Sequence, residues 1–141
     1  MKEIIQELEV LAITGDTNLN VSILTFDSRQ VREGALFVAV RGNQTDGHRF
    51  IPQAVEAGAR VVVSEQDPPV GASPVTWIRV SNARHALALM ASAYFGHPSR
   101  DLQLVCVTGT NGKTTIVTLL HQMHTLLGYK AGLLSTIRVK V

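Results

Sequence analysis

The sequence predicts an α/β protein in which a small N-terminal α/β domain is followed by the start of a second α/β domain. Apolar runs of strand length alternate with helical segments along the 141 residues. The run at 102–107 is almost entirely apolar, which is typical of a parallel strand covered on both faces. A glycine-containing turn at 108–114 joins this run to an amphipathic helix. Together these three features indicate α/β architecture.

The first 97 residues contain short strands and helices separated by turn signals. Ile4, Ile5 and Leu8 share one helical face. Gly58 is a favourable residue at the end of a helix, and Asn82 is a favourable residue at the start of one. The predicted strands are 24–26, 36–40, 60–63 and 75–80, and the predicted helices are 4–8, 51–57 and the segment after Asn82, with a polar loop at 41–48 and a turn region at 66–74.

A domain boundary is predicted at 97/98, because proline at position 98 disfavours helix at His97. The predicted domains are therefore 1–97 and 98–141. The second contains one strand, one helix to about Leu127 and the start of a strand at 131–136, which is too little for a covered parallel sheet. We expect the chain to be part of a larger protein, with apolar faces that invite self-association. The alternative is one compact domain in which the last strand joins the first sheet.

Composition excludes several functional classes. The net charge is +2 and the basic residues form no run, so neither nucleic-acid binding nor membrane-surface binding is expected. No apolar stretch is long enough to cross a bilayer. Cys106 is the single cysteine, and within an apolar run it is predicted to be a buried, inert thiol. A cytoplasmic protein is expected.

The most specific motif is a short glycine-rich loop between the apolar run and the helix. Glycines allow backbone N–H groups to converge on phosphate oxygens, with the positive end of the helix dipole behind them. Lys113 would bind the β- and γ-phosphates, and Thr114 would offer its hydroxyl to Mg²⁺. The loop is shorter than the general phosphate-loop pattern, which needs glycine where Val107 stands. The predicted phosphate-binding residues are Gly109, Thr110, Asn111, Gly112, Lys113, Thr114 and Thr115.

A purely structural explanation of this loop is a glycine-rich turn with an exposed lysine. A lysine at a helix start is unfavourable against the helix dipole, and a bound anion removes that conflict. We therefore interpret the loop as a site for the phosphates of ATP.

The loop resembles that of the Mur ligases, which use ATP to join an amino acid to a peptidoglycan precursor. The segments 27–29, 34–39 and 46–51 independently resemble the uridine-nucleotide-binding domain of the same family. The resemblance covers nearly the whole chain. It implies a uridine-nucleotide-binding domain at 1–97 and the beginning of the central, ATP-binding domain at 98–141.

Several expectations follow from this resemblance. The substrate would be UDP-MurNAc-L-Ala-D-Glu, and the full-length protein would add a third amino acid, diaminopimelate or lysine, using ATP and Mg²⁺, with Lys113 in the catalytic role and Thr114 as a magnesium ligand. The chain alone would be inactive, and the full-length protein a monomer. The implied uridine-nucleotide contacts are Phe26, Ser28, Asn43, Gln44 and Thr45.

Other functional interpretations remain open from the residues. One is the family member that adds the terminal dipeptide, although Thr110 stands where that ligase usually has serine. A second is a non-catalytic uridine-nucleotide-binding module with a vestigial loop, and a third is an unrelated phosphate-loop kinase. His121 and His124 are three residues apart but have no partners with metal-binding spacing, so a zinc site is not predicted.

Some candidate residues also have local structural explanations. Ser28 could cap the backbone of its own turn. Asp27 and Arg29 could pair with each other rather than with a ligand. Asp46 and His48 could serve mainly to shape the binding loop.

Overall fold

The computed structural model describes residues 1–42, 45–69, 75–137 and 139–140. Its contacts divide the chain into two compact units, Met1–Asp101 and Leu102–Val141. The division lies after Asp101 rather than after His97, because the short 3-10 helix Pro98–Asp101 belongs with the first unit, where Arg100 lies 3.5 Å from the Glu7 carboxylate.

The first unit is built on one five-stranded sheet with helices on both faces. Strands β2 to β5 are parallel neighbours, and β1 pairs antiparallel with β5, giving the order β1-β5-β4-β3-β2. The elements are α1 (Lys2–Ile5), β1 (Val10–Thr14), β2 (Leu24–Thr25), β3 (Ala35–Val38), α2 (Ile51–Glu56), β4 (Ala59–Ser64), β5 (Thr76–Val80) and α3 (Ala83–Tyr94), with 3-10 helices at Ser28–Gln30 and Gly47–Phe50.

Alternate residues of the central strands face two separate apolar cores. In one row across the sheet, Val62 lies between Phe37 and Trp77, and this row belongs to the core beneath α2. The next row, Val38, Val63 and Ile78, belongs to the core on the opposite face, where α3 contributes Met90. Because both faces are covered, these strands consist of continuous apolar residues rather than of alternating polar and apolar ones.

Most of the predicted elements of this unit are present. The Asn82 side chain accepts the backbone N–H of His85 at 2.9 Å, so the predicted cap is confirmed. Gly58 has a φ of +102° at the end of α2, a backbone conformation that favours glycine. Trp77 is buried in the core beneath α2. Strand β1 was not predicted, because its five residues form an edge whose pairing with β5 is far away in sequence.

The second unit differs from its prediction. It contains α4 (Lys113–Leu126) and two paired strands, β6 (Leu133–Leu134) and β7 (Val139–Lys140). The predicted strand at 102–107 is wrong: these residues form no regular element. A parallel strand needs a neighbour for its backbone groups, whereas in the described part of this unit β6 and β7 pair with each other.

The same change overturns the prediction for Cys106, which is exposed rather than buried. Its neighbours Leu104 and Val105 are also exposed. Within the described residues, the structure has no helix that is both long and apolar enough to cross a membrane.

Candidate functional site

A cleft of about 420 Å³ opens at the carboxyl ends of the parallel strands in the first unit. Phe26 follows β2, Val40 follows β3, and Arg84 lies in the first turn of α3, directly after β5. In open parallel sheets, ligands bind beyond this edge, because loops from several strands converge there. The cleft is lined by Phe26, Val40, Gly42, Thr45, Gly47, Phe50, Arg84 and Leu87.

The rings of Phe26 and Phe50 are the large apolar surfaces exposed in this cleft, at 65% and 39%. An exposed aromatic ring beside a cavity can stack on a planar ligand group, a contact worth about 1–3 kcal/mol for a nucleic-acid base. The cleft thus offers a planar apolar surface suited to a nucleobase.

A tight loop forms one wall of the cleft. Asp46 caps the 3-10 helix Gly47–Phe50 by accepting the backbone N–H of His48 at 3.0 Å. The Gly47 N–H donates to the Val40 carbonyl at 3.0 Å, and a Cβ at Gly47 would lie 2.5 Å from that oxygen. The residues Asp46, Gly47 and His48 therefore shape the loop, as one of the two interpretations expected.

Two of the predicted uridine contacts, Phe26 and Thr45, lie in the cleft lining. Asn43 and Gln44 lie outside the described residues. Sequence reasoning missed Phe50, Arg84 and Leu87. The signal for Arg84 was available, because it stands two residues after the helix-capping Asn82, where a helix begins at the end of a predicted strand.

Ser28 occupies a buried position after β2 but is not among the residues that line the cleft. Its hydroxyl donates to Oε1 of Gln53, in α2, at 3.1 Å. The contact is therefore with a distant side chain rather than with the backbone of its own turn. Ser28 as a nucleotide contact stays a prediction.

Asp27 and Arg29 form an ion pair, with Arg29 Nη2 2.7 Å from Asp27 Oδ2 and Arg29 Nε 2.9 Å from Oδ1. The side-chain hydrogen bond from Arg29, with its backbone N–H, lowers the pKa of Asp27 from 3.8 to about 2. The predicted pairing of Asp27 with Arg29 is thereby confirmed. The Arg29 side chain is 83% exposed, so the pair contributes little to stability.

The phosphate loop lies in the second unit and ends at the start of α4. Gly112 caps this helix with a φ of +77° and no side-chain hydrogen bond. The first N–H groups of a helix have no partner within it. Lys113 Nζ donates to the carbonyls of Gly109 and, at 3.2 Å, Thr110, so its ammonium lies over the loop. Free N–H groups and an ammonium over the same loop fit a phosphate.

The described part of this chain offers few side-chain ligands to Mg²⁺. Among the described residues, no three His, Cys, Asp or Glu side chains gather as a metal site. Thr114, whose hydroxyl is the predicted magnesium ligand, lies in the first turn of α4. Mg²⁺ usually keeps several waters and takes few protein ligands beside phosphate oxygens. The residues therefore fit a magnesium ion held mainly by nucleotide phosphates.

Comparison with known proteins gives the family. A family model described as "Mur ligase family, catalytic domain" matches residues 20–95, just over half of the chain. The chain belongs to the Mur ligase family. The matched residues include the whole cleft of this Mur ligase chain, whereas its phosphate loop lies beyond them.

Curated relatives extend the match. The Mur ligase chain is 46% identical over 97% of its length to the UDP-N-acetylmuramoyl-L-alanyl-D-glutamate–2,6-diaminopimelate ligase of Bacteroides fragilis, and 44% identical over 97% to that of Cytophaga hutchinsonii. It spans about 28% of the length of these relatives.

Solved structures agree in fold. A MurF structure from Acinetobacter baumannii matches 89% of this Mur ligase chain and 27% of its own, with a TM-score of 0.66 and 23% identity. A structure of a UDP-N-acetylmuramoyl-L-alanyl-D-glutamate–2,6-diaminopimelate ligase matches 85% of this chain and 24% of its own length, with a TM-score of 0.64 and 25% identity.

Proposed function

We propose that the whole protein is an ATP-dependent ligase that adds diaminopimelate to UDP-MurNAc-L-Ala-D-Glu, the third-residue step of peptidoglycan precursor synthesis. The observation that carries this proposal is the 46% identity to a diaminopimelate ligase across 97% of the chain, which includes both the cleft and the phosphate loop. Diaminopimelate rather than lysine is proposed because the relatives matched in this way are named as diaminopimelate ligases.

The two units would have different tasks in this reaction. The cleft of the first unit, with its exposed rings, would bind the uridine end of the substrate and so orient the distant carboxylate that reacts. The loop of the second unit would bind the phosphates of ATP. Lys113 is the first residue of α4, so the Lys113 ammonium and the backbone N–H groups of the same turn would bind one phosphate group.

The family resemblance implies two chemical steps. A carboxylate oxygen of the substrate attacks the γ-phosphorus of ATP, ADP leaves, and an acyl phosphate forms. The amine of the added amino acid then attacks the carbonyl carbon and inorganic phosphate leaves, giving the amide. Lys113 would stabilise negative charge on the transferring phosphoryl group. Mg²⁺ would neutralise charge on the phosphates, with the Thr114 hydroxyl as one ligand.

We also propose that the reaction takes place in the cytoplasm and that the full-length protein is a monomer. A single cysteine, Cys106, is in keeping with a reducing compartment. Residues needed for amino-acid binding and for the remaining magnesium ligands would lie in the part of the relatives that this chain does not span, so the chain alone should have no ligase activity.

The test is turnover by the protein at the full length of its relatives. Lys113→Ala should lower kcat at least about 100-fold, as removal of one transition-state donor does, while leaving the affinity for the UDP substrate within about two-fold. Lys130→Ala is the matched control, because Lys130 is an exposed lysine of the same unit outside the loop. Full turnover by Lys113→Ala would eliminate the role of Lys113 in the reaction, whereas UDP binding with no turnover by the unmodified full-length protein would favour the non-catalytic module.

The terminal-dipeptide ligase is the competing assignment, because TM-scores of 0.66 and 0.64 do not separate the two folds. Assays with diaminopimelate, L-lysine and D-alanyl-D-alanine as the amine, each with its matching UDP substrate, decide between them. Turnover with D-alanyl-D-alanine alone would overturn the diaminopimelate assignment.

A further inference from the structure

The cleft contains one arginine, Arg84, to which neither the sequence motifs nor the comparisons assign a role. We propose that Arg84 binds the phosphate groups of the nucleotide in this cleft, and so makes the site selective for a nucleoside diphosphate over a nucleoside. This inference rests on the proposed function of the cleft as a uridine-nucleotide site.

The charge of Arg84 is not neutralised by the protein. Within the described part of the chain, no carboxylate lies within ion-pair distance of its guanidinium. Several other arginines of this unit do form ion pairs: Arg29 with Asp27, Arg60 with Glu33, Arg79 with Asp67. An exposed, unpaired guanidinium beside a cavity is free to pair with an anionic ligand.

The same side chain is held in place by the loop that forms the cleft wall. Arg84 Nη2 donates to the backbone carbonyl of Arg41 at 3.0 Å. A guanidinium has five N–H donors in a planar fork, so this bond leaves four for a ligand. Arg41 itself lies 3.8 Å from Asp46 and 3.9 Å from Glu65, so its charge already has two partners. Arg84 is thus both positioned and available.

The start of α3 does not supply the anion site by itself. The Ala83 N–H donates to Glu65 Oε1 at 3.0 Å, and the His85 N–H donates to Asn82 Oδ1 at 2.9 Å. Since a carboxylate already occupies this helix start, the affinity for phosphate has to come from the Arg84 side chain.

The two ends of the cleft differ in chemistry. Phe26 follows β2 and Arg84 follows β5, and these strands are three inter-strand spacings apart in the sheet order, roughly 14 Å. A nucleoside diphosphate is an elongated ligand with a planar base at one end and charge at the other. The placement of the ring and the guanidinium matches the two ends of such a molecule.

The experiment measures binding of UDP and of uridine to the full 141-residue chain by calorimetry. Arg84→Ala should raise the Kd for UDP about 10- to 100-fold, the effect of losing one charge-assisted hydrogen bond, and change the Kd for uridine less than about two-fold. Arg84→Lys, which keeps the charge but not the planar fork, should recover part of the UDP affinity. Arg60→Ala is the control, because Arg60 lies near the start of β4, whereas the cleft lies beyond the carboxyl ends of the parallel strands.

The salt dependence of UDP binding is an independent readout. Affinity of the unmodified chain and of Arg60→Ala should fall with added salt, whereas Arg84→Ala should respond much less, because its ligand contact carries less charge. If Arg84 only supports the loop through the Arg41 carbonyl, Arg84→Ala will weaken uridine and UDP equally and leave the salt dependence unchanged. That result, or unchanged UDP affinity, would overturn this inference alone. Failure of the unmodified chain to bind either ligand would overturn the proposed function with it.

Discussion

Nδ1 of His48 lies 2.6 Å from Oδ1 of Asp46, and the same oxygen accepts the His48 backbone N–H at 3.0 Å. The His48 ring is buried, and its Nε2 has no hydrogen-bond partner among the described residues. These two contacts lower the pKa of the Asp46 carboxyl below its ordinary 3.8, and the hydrogen bond to the His48 side chain has the larger effect. One carboxylate therefore orients the buried ring and starts the 3-10 helix that borders the cleft.

Asp46→Asn should lower the free energy of unfolding at neutral pH and remove part of the decrease in stability that occurs at acidic pH. A carboxyl whose pKa is lower in the folded state stabilises the fold above its unfolded pKa, and this contribution is lost as pH falls through the folded value. The difference between the unmodified chain and Asp46→Asn should thus be largest above about pH 4 and shrink below it. Urea denaturation from pH 7 to pH 2 measures it, and parallel curves over the whole range would contradict it.

Gly47→Ala should destabilise the first unit and abolish nucleotide binding. The new Cβ would lie 2.5 Å from the Val40 carbonyl oxygen, so the loop has to move. Overpacking of this kind costs about 1–3 kcal/mol. Gly128→Ala is a control for binding only: a Cβ there would meet nothing within 4 Å and the residue lies in the other unit, but its φ of +85° disfavours alanine. UDP calorimetry should separate the two variants, and thermal unfolding of Gly47→Ala against the unmodified chain measures the loss of stability.

The hydrogen bond between Ser28 and Gln53 offers a matched pair of variants for the predicted nucleotide contact. Ser28→Ala and Gln53→Ala both remove this 3.1 Å bond, but only the first removes the hydroxyl. Each should cost about 0.5–1.5 kcal/mol of stability, the ordinary net value of one hydrogen bond.

If Ser28 contacts the nucleotide, Ser28→Ala should weaken UDP binding several-fold, whereas Gln53→Ala should leave it nearly unchanged. Equal UDP affinity in the two variants, measured by calorimetry, would mean that Ser28 serves only to connect the turn after β2 with α2.

The apolar face of α4 should make the 141-residue chain self-associate. No residue of α4 is buried, and Leu119 and Leu126, two turns apart, are 58% and 88% exposed. Exposed apolar surface of this kind favours association. Lysine at both positions should shift the chain toward monomer in sedimentation velocity. Lysine at both Gln122 and Thr125 adds the same charge at exposed polar positions and should leave the association unchanged. Equal association of the unmodified chain and both double variants would show that this face of α4 is not responsible.

Features that depend on neighbours in the sequence were predictable. The Asn82 cap, the glycine after α2 and the start of α4 at Lys113 each rest on contacts within about one helical turn. Parallel strands that are covered on both faces could also be predicted, because burial on both faces leaves continuous apolar residues such as those of β4. The apolar run at 102–107 shows the limit of this rule, since an apolar run becomes a strand only if a partner lies beside it.

The sequence by itself therefore determined the α/β class, the helix caps and the glycine-containing turn before α4, because local backbone chemistry needs no distant partner. Only the tertiary structure decided that β1 closes the sheet beside β5, that Ser28 bonds to Gln53, and that Phe26 and Arg84 share one cleft. Those relationships join residues from separate elements, and strand order in the sheet, which local preferences do not encode, brings them together.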